Sequence, residues 1–178
     1  NLTSLAIPNS GKIGDSMISD PPLPHLRKLE MPHSIRFTDA SIPRLSRQLT
    51  SLTLSASENV TGRSFPFLPR SLIHLNLRSS CEISDPDIQH LPRTLQKLNL
   101  SSASKLTDAC VPDLPPILEE LDLSTNDLIS PASFISLPYT LRSSKIYHRV
   151  ELANWNVYQG KLRHRKAVKD RTQQCCLM

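Results

Sequence analysis

Leu49, Leu72, Leu95, Leu118 and Leu141 are each 23 residues apart; Leu26 extends the series upstream, and Leu2 lies 24 residues before Leu26. With each of these leucines taken as position 1, apolar residues recur at positions 4 and 6: Leu29 and Met31, Leu52 and Leu54, Leu75 and Leu77, Leu98 and Leu100, Leu121 and Leu123. Position 12 holds Phe37, Val60, Ile83, Leu106 and Ile129, and position 17 holds Ile42, Phe65, Ile88, Val111 and Phe134. A further leucine at position 20 usually has proline behind it. Repetition at this period excludes most folds. One unit is too short to bury its own apolar stripe, so units must stack into a coil that shares a continuous core. The alternation at positions 4 and 6 is strand-like, and one strand per stacked unit makes a parallel sheet.

The repeated L-x-x-L-x-L pattern over residues 1–146 resembles a leucine-rich repeat. It is similar in particular to the cysteine-containing repeats of F-box proteins, through Phe37-Thr38-Asp39, Ile83-Ser84-Asp85 and Leu106-Thr107-Asp108. That subfamily carries Cys at position 9, where this chain has Ser34, Ser57, Ser80, Ala103 and Asn126. The resemblance implies an α/β-class curved solenoid, with a parallel β-sheet on the concave side and a partner-binding role for that face. One version of that role is substrate recognition in an F-box ubiquitin ligase, with the F-box upstream of Asn1.

Proline shapes the expectation for the outer side. The chain has 15 Pro and 4 Gly, and Pro43, Pro66, Pro86, Pro112 and Pro131 fall between strands, where they are expected to push the residue before them toward extended geometry and away from α-helix. The convex side is therefore expected to be irregular or 3₁₀, in a shallow arc. With glycine scarce, Ser, Asn and Asp at positions 8–10 and 14 are expected to make the turns through their side chains.

The organisation expected is a solenoid over 1–146 with six full units and a degenerate seventh, where Ser144 replaces the middle leucine. A cap over 147–160 contains the one tryptophan, Trp155, and a basic tail occupies 161–178. The tail holds Lys161, Arg163, Arg165, Lys166, Lys169 and Arg171 against one acid, Asp170, which accounts for the whole formal charge of +5. Residues 1–160 are then balanced, with 15 basic and 15 acidic side chains, which argues against nucleic acid as a partner of the body. No run approaches the length of a membrane span. No basic, apolar leader precedes Asn1, so the start is read as a cut.

Candidate binding residues lie where a solenoid presents its sheet. Position 3 runs Lys28, Ser51, His74, Lys97, Glu120, and position 5 runs Glu30, Thr53, Asn76, Asn99, Asp122. Lys28, Glu30, His33, His74, Asn76, Arg78, Lys97, Asn99, Glu119 and Asp122 form the expected partner face, basic and hydrogen-bonding in the middle and acidic at one end. Lys97 and Glu120 suit a cross-strand ion pair equally well. No nucleophile, phosphate loop or paired metal-ligand spacing is evident among His74, Cys81 and Cys110, so the expectation is a monomeric, non-catalytic binder without metal or cofactor.

The last residues, Cys175-Cys176-Leu177-Met178, look like a C-a-a-X prenylation signal with terminal Met favouring farnesyl on Cys175. One lipid chain holds weakly, and the upstream basic run would add attraction to an anionic surface. This makes a peripheral location on a cytosolic membrane face the first expectation. A bacterial effector or an extracellular receptor fragment is the remaining alternative, and glycans at Asn59 or Asn99, both in N-x-[ST] sequons, would mark the extracellular version.

Overall fold

The computed structural model describes residues 2–7, 14–17 and 23–145. The strands are β1 Ser4–Ala6, β2 Lys28–Glu30, β3 Ser51–Thr53, β4 His74–Asn76, β5 Lys97–Asn99, β6 Glu120–Asp122 and β7 Ser143–Lys145. They form one sheet in sequence order, and every pairing is parallel. The register follows the repeat: Leu29 pairs with Leu52, Leu52 with Leu75, Leu75 with Leu98 and Leu98 with Leu121. Parallel strands need a crossover between them. Here each crossover is the rest of one unit.

Each strand is only three residues long, and its central residue alone points inward. Leu29, Leu52, Leu75, Leu98 and Leu121 are buried, as are the residues at positions 1, 6, 12, 17 and 20 of the same units, in one continuous core. Each such side chain contributes about 1.5–3 kcal/mol of burial, and the core exists only because neighbouring units supply its walls. At β7 the spine ends: Ser144 stands opposite Leu121.

The outer side is built mainly of 3₁₀ turns, at Asp39–Arg44, Gly62–Phe67, Asp108–Asp113 and Pro131–Ser136. The expected extended geometry before proline is corrected at Pro43, Pro66 and Pro112, which lie inside these turns. Proline's fixed φ suits a 3₁₀ turn, and a short turn forfeits little when one donor is missing. One unit departs further, with a single α-helical turn, α1 Asp85–Ile88, that has Pro86 in its first turn.

A relay of carboxylates holds the turns in line. The position-14 aspartate of one unit accepts from the backbone N–H and the hydroxyl of the position-13 residue of the next. Asp15 receives Thr38 at 2.8 and 2.7 Å, and Asp39 receives Thr61 at 2.8 and 2.6 Å. Asp85 receives Thr107 at 2.8 and 2.6 Å, and Asp108 receives Ser130 at 2.6 and 2.5 Å. These Thr and Ser residues are the N-caps of the turns, where a side-chain oxygen satisfies an orphan donor.

The relay skips one step. Gly62 occupies position 14 in its unit, so it offers Ser84 nothing, and Asp87 accepts instead from the Ser84 N–H and hydroxyl at 2.8 and 2.7 Å. A Cβ on Gly62 would overlap the Asp87 side chain. Glycine here makes room for a carboxylate arriving from the neighbouring unit.

Turns out of the strands follow the expectation in part. Position 8 lies in the left-handed region in five units, at His33, Ala56, Ser79, Ser102 and Thr125, with φ between 54° and 61°. None of these is glycine. At position 9 the expected side-chain bonds form, with the Ser34 hydroxyl donating to the Met31 carbonyl at 2.9 Å and the Asn126 amide donating to the Leu100 and Leu123 carbonyls at 2.9 and 3.0 Å, and position 5 adds more. Asn76, Asn99 and Asp122 each accept from the backbone N–H two residues on, at 2.9 to 3.0 Å.

Candidate functional site

The open side of the sheet is a groove of about 700 Å³ that crosses β2 to β7. Strand register puts position 3 of every unit in one row, so Lys28, Ser51, His74, Lys97 and Glu120 stand side by side. The position-5 row runs Glu30, Thr53, Asn76, Asn99 and Asp122. Seven of the ten predicted partner residues line this groove: Lys28, Glu30, His74, Asn76, Lys97, Asn99 and Asp122.

The other three lie outside it. His33 sits in a left-handed turn at the strand exit. Arg78 is exposed at the same rim, and Glu119 pairs with Arg142 at 3.4 Å. Polar lining residues that the prediction left out are Glu120, which it had set aside as the ion-pair partner of Lys97, and Thr50, Ser51, Thr53, Ser143 and Lys145. The repeat marked the last five by column, but small hydroxyls and a strand in the degenerate unit gave no chemical reason to select them.

Most of the charge in the groove is already matched. Lys28 reaches Glu30 along its own strand at 2.8 Å, and Lys97 reaches Glu120 across strands at 2.6 Å. Both pairs are half-exposed, so each contributes well under about 1 kcal/mol. Asp122 accepts from Ser124 and lies 3.4 Å from the Asn99 amide. Between the two ion pairs, Ser51, Thr53, His74 and Asn76 leave a neutral, hydrogen-bonding window.

His74 is the one titrating group in that window. Partial burial holds its pKa below the usual imidazole value; Lys97 and Lys28 push the same way, and Glu120 opposes them. The ring is therefore neutral at pH 7, with one nitrogen to donate and one to accept.

Cys81 and Cys110 offer no comparable chemistry. Cys110 is buried, and its thiol is pushed up to about 12 by burial and by Asp85 and Asp108; a thiol held protonated is a poor nucleophile. Cys81 is exposed, and its sulfur lies 3.9 Å from the Ser79 carbonyl. Among the described residues, no group of three His, Cys, Asp or Glu side chains could hold a metal ion. No helix among them is long and apolar enough to cross a membrane. Cys175, Lys161, Arg163, Arg165, Lys166, Lys169, Arg171 and the 147–160 cap lie outside the described residues.

No protein-family model and no curated protein matches the sequence. Solved structures do match. A chain of the yeast Rad7–Elc1 complex superposes with a TM-score of 0.66 at 23% identity, over 78% of this chain and 40% of that one. The leucine-rich-repeat-containing protein LegL7 from Legionella pneumophila gives 0.55 at 16% identity, over 82% of this chain and 56% of that one. The chain thus spans about half the length of these structures or less. The fold is a leucine-rich-repeat solenoid.

Proposed function

We propose that this chain is a protein-binding module that grips a partner on the groove side of its sheet. The observation that carries this is the window of Ser51, Thr53, His74 and Asn76, framed by the Lys28–Glu30 and Lys97–Glu120 pairs. An extended segment of mixed charge fits it, with its polar groups meeting the window and its charges exchanging with the flanking pairs. The test is joint substitution of Lys28, His74, Arg78 and Lys97 by serine, followed by affinity capture from the native cells. Loss of a partner with an unchanged unfolding midpoint supports the site. Unchanged capture moves binding to another face.

The membership of one structural neighbour in a complex, Rad7 with Elc1, favours a second form of this reading. In that form the repeat is the recognition arm of a larger assembly, such as an F-box ligase. Co-purification of a constant second subunit, insensitive to the fourfold substitution, would support it. The tail is proposed to hold the module at a membrane through farnesyl on Cys175, a reading supported by the terminal Cys-Cys-Leu-Met and the basic run before it. Intact mass from eukaryotic cells tests this: one added farnesyl with loss of three residues supports it, and an unmodified Met178 terminus removes it.

A further inference from the structure

The balanced charge of residues 1–160 conceals a segregated edge. Where the outer turns lead back toward the strands, position 22 holds Arg47, Arg70 and Arg93 in three successive units, and position 19 holds Arg44, Phe67 and His90. All six are exposed, Phe67 to 51%. The two columns touch: the Arg47 Nη1 donates to the Phe67 carbonyl at 3.4 Å, and the Arg93 Nη1 donates to the carbonyl of Asp113, the next position 19, at 2.9 Å. Residues 44–48, 67–71 and 90–94 contain no acid, although Arg44 lies near enough to lend charge to Asp15. Both columns stop at the fifth unit, where Asp113 and Pro116 take these positions.

We propose that this edge binds single-stranded nucleic acid, one nucleotide to a unit over three units. A guanidinium offers a planar fork of donors that matches a phosphate. Phe, His and Arg side chains each present a flat face on which an unpaired base stacks. One column of each kind, side by side at the same period, matches a chain that alternates phosphate and base. An acidic peptide would use the arginines and leave Phe67 and His90 idle. A duplex would hide its base faces within the stack.

The test is fluorescence anisotropy of the full chain with a fluorescein-labelled oligothymidylate of about twelve nucleotides, alongside polyglutamate of equal charge and a duplex of the same length. The single strand should bind best. Phe67→Ala should weaken it about tenfold and leave polyglutamate unaffected. Arg70, whose side chain makes no brace to the next unit like those of Arg47 and Arg93, is the second variant; Arg70→Ser should flatten the salt dependence by roughly 0.7. Photocrosslinking with a 5-iodouracil strand locates the contact, and crosslinks at Phe67 or His90 support the site. Crosslinks confined to the basic tail with unchanged affinity in both variants overturn it. Equal or tighter binding of polyglutamate or duplex overturns the choice of ligand. The concave-face substitutions are separate, so either site can fail alone.

Discussion

At the scale of single residues, the turns show how a glycine-poor chain makes sharp bends. Position 8 adopts positive φ without glycine in five units, a conformation that costs an L-residue about 1–2 kcal/mol. Ala56, at φ 54°, has no polar side chain to offset that cost. Ala56→Gly should therefore raise the stability measured by urea unfolding by up to about 1 kcal/mol, whereas Ala56→Val, stiff at Cβ, should lower it by about 1–2 kcal/mol. Equal midpoints for the two variants would refute the assignment. Asp108 tests the relay. Burial raises its pKa, but the Ser130 hydroxyl and N–H and the Ser133 hydroxyl outweigh burial and hold it below the usual carboxylate value. A carboxylate depressed in the folded state stabilises fully above its unfolded pKa and loses that contribution as pH falls through the folded one. Stability should thus decline below about pH 4, and Asp108→Asn should decline less steeply in acid unfolding. Ser130→Ala, which removes the cap, should cost about 1 kcal/mol at pH 7.

The elements show which features could be seen in advance. The strands were legible because Leu29, Leu52, Leu75, Leu98 and Leu121 recur at a fixed interval with polar residues on both sides, and burial in a stacked core leaves little choice of register. The 3₁₀ turns were legible in kind from Pro43, Pro66 and Pro112, though not in detail, since φ alone decides whether a proline is tolerated inside so short a turn. The missing step at Gly62 was hidden. Sequence shows an absent aspartate, and only the structure shows that Asp87, two positions further along the next unit, fills the space. The groove was legible by column, while the loss of Asn76, Asn99 and Asp122 to turn bonds was not, because it depends on the chain reversing just after position 5. The Gly62–Asp87 exchange makes a sharp prediction. Gly62→Asp should lose about 1–3 kcal/mol through overlap, Asp87→Ala should lose the Ser84 cap, and the double variant should return to within about 1 kcal/mol of the parent. A denaturant double-mutant cycle checks this, and additive losses would exclude the exchange.

Over the whole molecule, each unit packs only on its neighbours, so stability is close to a sum of unit and interface terms. The core is uniform along the coil, and the groove and the arginine edge share no residue. Groove variants should therefore leave edge binding intact, and edge variants should leave partner capture intact, with both sets unfolding near the parent midpoint.

The one-way hand-off from each aspartate to the following unit also governs how the chain can be cut and rejoined. Excising 95–117 sets Asp85 against Ser130, acceptor to donor as before. Excising 72–94 sets Gly62 against Thr107 and strands that hydroxyl without a carboxylate. Excising 49–71 brings Asp39 and Asp87 together on Ser84, two negative charges competing for one hydroxyl. Melting temperatures should rank the three shortened proteins in that order, the first highest. A lineage that gained or shed copies of this motif would be free to do so only at joints where the chemistry still meets its counterpart.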